Sequence, residues 1–139
     1  MHILLADDDK EDFMIFEDAA KMTNHEFTLT YAANWMDLWR MLLKTQPNVV
    51  FLDLNMPVKD GFECLKTIRE DSRFDLLPIV IYSTSINKKD IDKAYEYGAN
   101  YFIVKPNTTE GLTNVLHRIV DMKNGLLEIR PLREKFVIL

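Results

Sequence analysis

Three consecutive carboxylates, Asp7, Asp8 and Asp9, close the apolar run HILLA, and Glu11 and Asp12 follow at once. Another, Asp53, directly follows the apolar run NVVFL. Taken singly, each is an ordinary wet residue at the end of a strand. Brought together, carboxylates repel one another and raise each other's pKa. A hard divalent cation with oxygen ligands offsets that repulsion; Mg²⁺ suits the role, with Mn²⁺ as a substitute. Asp8 and Asp53 would ligate it directly and Asp7 directly or through water. A backbone carbonyl and waters would complete the shell, leaving positions open to phosphate oxygens. Two further residues fit phosphoryl chemistry. Lys105 supplies a compact positive charge with three donors, and Ser83 supplies a hydroxyl. Together with the cation they would stabilise a transferring phosphoryl group. A carboxylate can be its nucleophile and form an acyl phosphate; Asp53, expected between Asp8 and Lys105, is the candidate. None of His2, His25 and His117 is placed to assist, which argues against zinc chemistry.

These residues need a scaffold that carries them to one place. Apolar runs recur at even spacing: HILLA (2–6), FTLTYA (27–32), NVVFLD (48–53), PIVIYS (78–83) and NYFIVK (100–105). All but the second are continuous rather than alternating, as parallel strands read when helices cover both faces of a sheet. Helical stripes fill the gaps. Trp35, Leu38, Trp39 and Leu42 fall at i, i+3, i+4 and i+7, and Leu112, Val115, Leu116 and Ile119 repeat that spacing. Phe13, Phe16 and Ala20 mark a first helix, Phe62, Leu65 and Ile68 a third, and Ile91, Ala94 and Tyr95 a fourth. Asn34, Asp60 and Thr108 are suited to N-caps. The expected fold is therefore a doubly wound (βα)5 α/β domain, a three-layer sandwich around a central five-stranded parallel sheet. In such folds ligands gather beyond the carboxyl ends of the strands. Asp7, Asp8, Asp53, Ser83 and Lys105 all lie at that edge.

Composition narrows the classes of function. The chain has 139 residues and a net charge of −5, with no basic tract to mark a nucleic-acid partner. No run reaches transmembrane length and the N-terminus does not read as a signal peptide. The one cysteine, Cys64, forms no internal disulfide and fits a reducing compartment. A cytoplasmic protein without nucleic-acid or membrane partners is the expectation.

The stretches ILLADDD, VVFLDLNMPVKDGFE, PIVIYSTS and YFIVKP resemble the receiver (response regulator, CheY-like) domain of bacterial two-component signalling. Ser83 stands 30 residues and Lys105 52 residues beyond Asp53, spacings that also match the family. The resemblance covers residues 1 to about 124. It implies the flavodoxin-like strand order 2-1-3-4-5. It also implies that Asp53 accepts a phosphoryl group from a histidine kinase or a histidine phosphotransfer protein. Asp7 and Asp8 match the acidic pair that holds Mg²⁺, and Asn55 matches the residue that offers its backbone carbonyl to the metal. Ser83 matches the switch hydroxyl and Lys105 the phosphoryl contact, followed by a usually cis Pro106. Phe102 matches the switch aromatic, whose ring rotates as Ser83 moves toward the phosphate. Such a domain phosphorylates and dephosphorylates itself without turning over a dedicated substrate.

The chain departs from the family pattern at several positions. Ala6 replaces a more usual valine, Phe102 lacks a tyrosine hydroxyl, and Thr84 is bulkier than the small residue often found there. Thr84 should narrow access to the phosphoryl group. Asp9 reads as the opening of the first helix, Cys64, Trp35 and Trp39 as core, and NKKD (87–90) as a solvated face near the output surface. Residues 125–139 extend beyond the receiver domain of 1–124. Their apolar content predicts that they fold back on the domain, with FVIL as a short β-segment, or else mediate a homodimer. The leading expectation is a stand-alone phosphorylation switch acting on an unidentified downstream protein. Two alternatives are a phosphorylation-independent binding module and a Mg²⁺-dependent aspartyl-phosphate hydrolase. The hydrolase would want an acid two residues after the nucleophile, where this chain has Asn55.

Overall fold

The computed structural model describes residues 1–122, 127 and 129–138. The expected boundary at 124/125, and Leu126 and Leu139 of the tail, lie outside the described residues. Strands β1 (His2–Ala6), β2 (Thr28–Ala32), β3 (Val49–Leu52), β4 (Ile79–Ser83) and β5 (Tyr101–Val104) alternate with helices α1 (Lys10–Met22), α2 (Trp35–Thr45), α3 (Gly61–Arg69), α4 (Lys88–Glu96) and α5 (Thr109–Asp121). Short 3₁₀ turns cover Ser72–Phe74 and Arg133–Lys135. The sheet runs β2-β1-β3-β4-β5-β6 with every pairing parallel. Its last member, β6 (Val137–Ile138), adds a sixth strand to the expected five and lies beside β5, Val137 opposite Phe102 and Ile138 opposite Ile103.

Alternation along the strands divides the core in two. Leu4, Ala6, Val50, Leu52, Ile79, Ile81 and Phe102 face Leu38 and Leu42 of α2, Leu65 and Ile68 of α3 and Ala94 of α4. Ile3, Leu5, Val49, Phe51, Val80 and Ile103 face Phe16 and Ala19 of α1 and Leu112, Val115, Leu116 and Ile119 of α5. Strands β1, β3 and β4 are thus apolar on both faces, which explains their unbroken runs. Strand β2, at the sheet edge, buries fully only Ala32. Cys64 is fully buried, and burial pushes its thiol up to about 12. Trp35 and Trp39 are half-buried rather than core. Their rings stack 5.3 Å apart, and Lys59 Nζ sits 4.0 Å from the centroid of Trp35.

Side-chain caps fix where the helices begin. Asp9, Asn34, Asp60, Asn87 and Thr108 accept backbone N–H groups of Glu11, Asp37, Glu63, Lys89 and Gly111 respectively. Each such cap stabilises by about 1 kcal/mol. Gly98 takes φ +98° just past the end of α4, a conformation that glycine adopts without strain.

Arg69, at the end of α3, braces the far side of the sheet. Its Nε donates to Gly98 O (2.9 Å) and one terminal nitrogen to Phe74 O (2.7 Å). The other donates to Leu77 O and to Asn100 Oδ1, both at 2.8 Å. Asn100 Oδ1 also accepts from Ile79 N at 2.9 Å, so the brace reaches the first residue of β4.

Candidate functional site

Main-chain bonds carry the acids to one edge. Asp7 N donates to Ala32 O (3.0 Å) and Asp53 N to Ala6 O (2.9 Å), so each acid continues its strand ladder by one step. Lys105 N donates to Ser83 O at 2.8 Å and fixes the end of β5 against the end of β4. Behind Asp53, Gly61 N donates to Leu54 O at 3.0 Å. A Cβ on Gly61 would fall 2.3 Å from Asp53 O and 2.7 Å from Leu54 Cα. Glycine is therefore required there for close backbone approach, and not for φ freedom. It sets the start of α3 directly against the loop that carries Asp53.

Asp7, Asp8 and Asp53 each offer a carboxylate oxygen, and these atoms lie within 4.8 Å of one another. Asp7 is fully buried and Asp53 is 4% exposed, whereas Asp8 is exposed. Burial pushes the Asp7 carboxyl up to about 6, against the pull of Lys105 and the Asp9 N–H, with repulsion from Asp53 adding to the rise. Burial also raises Asp53, opposed by Lys105 and the Asn55 N–H, which lies 3.3 Å from Asp53 Oδ1. Two buried acids held above their ordinary range beside an exposed third form a hard-oxygen donor set with excess negative charge. That set fits a divalent cation of the Mg²⁺ or Mn²⁺ type.

Lys105 Nζ donates to Asp7 Oδ2 (2.8 Å) and to Asp12 Oδ2 (2.7 Å), and it lies 3.8 Å from Asp53 Oδ2. Burial works against its charge, yet the hydrogen bonds to Asp12 and Asp7 prevail and its pKa is raised. The lysine is thus a fixed cation at the rim of Asp53, held off it by two other acids. Ser83 is fully buried and its Oγ accepts the Ser85 N–H at 3.2 Å, while its neighbour Thr84 is exposed. Phe102 is fully buried on the α4 side of the sheet. Asn55 is exposed in the loop beyond Asp53. The peptide between Lys105 and Pro106 is trans, not cis as the family resemblance implied. Trans is intrinsically favoured even before proline, and from that geometry Lys105 reaches both Asp7 and Asp12.

Sequence reasoning did not assign Asp12 to the site. It is the fourth residue after Asp8, at the first turn of α1. The signal that would have found it is its place three residues after the N-cap Asp9, an offset that returns a side chain to the face of the cap.

Comparison with known proteins agrees with this geometry. Residues 3–117 match the family model for the response regulator receiver domain. Chemotaxis protein CheY1 of Helicobacter pylori is 30% identical over 121 residues, spanning 86% of this chain and 97% of that protein. Among solved structures, the Mn²⁺-bound form of response regulator Rcp1 superposes with a TM-score of 0.74 at 27% identity, covering 85% of this chain and 90% of that one. The phosphorylated cyanobacterial phytochrome response regulator RcpA gives 0.78 at 28% identity, covering 87% and 91%. Asp7, Asp8 and Asp53 form one acid cluster; among the similar structures, Rcp1 is known bound to Mn²⁺ and RcpA in phosphorylated form. In fold, acid cluster and sequence alike, the chain belongs to the response regulator receiver domain family.

Proposed function

We propose that the chain is a phosphorylation switch in which Asp53 receives a phosphoryl group from the phosphohistidine of a histidine kinase or a histidine phosphotransfer protein. An Asp53 carboxylate oxygen forms the new bond to phosphorus. The phosphorus–nitrogen bond of the donor breaks, and the imidazole nitrogen leaves with the electron pair. The product is an acyl phosphate. Asp7, Asp8 and Asp53, with the backbone carbonyl of Asn55, would hold a divalent cation that, when bound, supplies positive charge for the phosphoryl oxygens. Lys105 lies close enough to Asp53 Oδ2 to turn from its acids toward a phosphoryl oxygen. Ser83 serves as the hydroxyl drawn toward that group, Thr84 restricts the approach of water, and Phe102 follows the movement of Ser83. The added charge and acceptor oxygens bias a pre-existing conformational equilibrium. The output is contact with a downstream protein at the α4–β5–α5 face, in the cytoplasm.

The observation that carries this reading is a nearly inaccessible carboxylate at the carboxyl edge of the sheet, with two acids within 4.8 Å and a half-buried lysine at 3.8 Å. That a relative is known in phosphorylated form and another bound to Mn²⁺ supports it. Incubation with Mg²⁺ and acetyl phosphate should add one phosphoryl group by mass, and Asp53→Asn should abolish the gain. No gain with any phosphodonor would overturn the reading.

A further inference from the structure

The last described segment makes specific contacts on the face that the proposed switch would use. Val137 and Ile138 pair with Phe102 and Ile103, and the Phe102 N–H donates to Phe136 O at 3.0 Å. Phe136 is fully buried, its ring edge-on to Tyr95 of α4 (5.0 Å) and to Phe102 (6.3 Å). Polar anchors flank it. Arg133 pairs with Asp92 of α4 at 2.8 Å, and Tyr95 Oη donates to Pro131 O at 2.9 Å. The Arg130 guanidinium lies 4.0 Å from the centroid of Tyr95 and donates to that residue's carbonyl. The segment therefore caps the free edge of β5, fills the gap between β5 and α4, and packs against Phe102.

We infer that residues Arg130–Ile138 are a built-in cover of the α4–β5 face whose docking is coupled to the state of Asp53 through Phe102. With Phe136 packed against it and itself backed by Tyr95, Phe102 can swing out of the core only if the tail lifts. A docked tail consequently favours whichever state of the domain keeps Phe102 inside. The inference rests on the proposed function at one point, that Ser83 moves toward a phosphoryl group on Asp53 and leaves space into which Phe102 packs. Phosphorylation then tightens the tail, and by reciprocity the tail favours phosphorylation. A partner adding a strand to the β5 edge must displace the cover.

The Phe102 amide reports docking directly, because its hydrogen-bond acceptor belongs to the tail. Its hydrogen exchange is to be followed by NMR in the full chain, free and with Mg²⁺ plus beryllofluoride as an acyl-phosphate mimic. The mimic should slow exchange in the wild type by about fivefold or more, the lower range of allosteric couplings. Phe136→Ala should speed exchange and weaken binding of the mimic by a similar factor. Arg133→Gln, which leaves the core intact, should do both to a smaller extent. A wild type that binds the mimic while Phe102 exchange is unchanged overturns the coupling alone. Variants that bind the mimic as tightly as the wild type overturn it as well. A wild type that binds no mimic and accepts no phosphoryl group overturns the functional reading and the coupling with it.

Discussion

The burial of Asp7 makes the stability of the domain depend on pH and on metal together. Asp7 titrates near 3.8 when the chain is unfolded and at about 6 when it is folded. Between those values the folded state holds the extra proton. The stability this contributes is complete below about pH 4 and is lost as pH rises through 6. A gap of about two pH units corresponds to roughly 3 kcal/mol. Above pH 6 the metal-free domain therefore carries a buried, ionised acid whose cost Lys105 offsets only in part. A divalent cation reverses this, because protons and metal compete for the same carboxylate oxygens. Thermal unfolding with excess Mg²⁺ and with EDTA, near pH 7.5 and near pH 5, reads the competition. Saturation at about 100 times Kd adds about 2.7 kcal/mol, which raises the Tm by roughly 5–15 °C in a domain of this size. The rise should be full near pH 7.5 and fall to about half near pH 5, where protonation of Asp7 weakens the metal about tenfold. In Asp7→Asn it should be small at both. Equal Mg²⁺ responses at the two pH values, or a wild-type response from Asp7→Asn, would refute the reasoning.

Three further outcomes are expected. Gly61→Ala puts a methyl group 2.3 Å from Asp53 O, so it should lower stability by about 1–3 kcal/mol in urea unfolding and slow phosphorylation. Arg69→Met strands the carbonyls of Phe74, Leu77 and Gly98 and should cost about 2–4 kcal/mol. Arg69→Lys should recover little of that, because one ammonium cannot span the same acceptors. Thr84→Ala opens the exposed position beside Ser83 and should change the decay of the phosphorylated protein by severalfold, toward faster loss; decay at the wild-type rate would show that Thr84 does not restrict water.

The layered α/β architecture was legible because its signals are local and repeated. The continuous runs ILLA (3–6) and VVFL (49–52) are buried on both faces, and Asn34, Asp60 and Thr108 cap the helices that they precede. The gathering of Asp7, Asp8 and Asp53 followed from one topological rule, that strand ends share an edge. What escaped depends on side-chain reach and on pairing between distant segments. Whether Lys105 points at Asp53 or at Asp12 is a matter of a few ångströms that residue spacing does not encode. Arg69 ends a helix with an ordinary polar face, and only the fold brings the carbonyls it serves to its guanidinium. Strand β6 has two residues, and its partner lies more than thirty positions earlier in the chain, too short a run to announce its neighbour. Trp35 and Trp39 sit on the expected stripe, but the stripe meets the edge of the core, so their rings stack on each other at its margin.

The central claim is that one carboxylate, Asp53, is the phosphoacceptor. The most direct measurement is the location of the phosphoryl group after transfer from a phosphohistidine donor in the presence of Mg²⁺, by mass spectrometry of the proteolysed protein. The label should map to Asp53 alone, be cleaved by hydroxylamine as an acyl phosphate, and fail to form when EDTA removes the metal. A stable label on Ser83 or Thr84, or one on Asp7, Asp8 or Asp12 with Asp53 unmodified, would contradict the account.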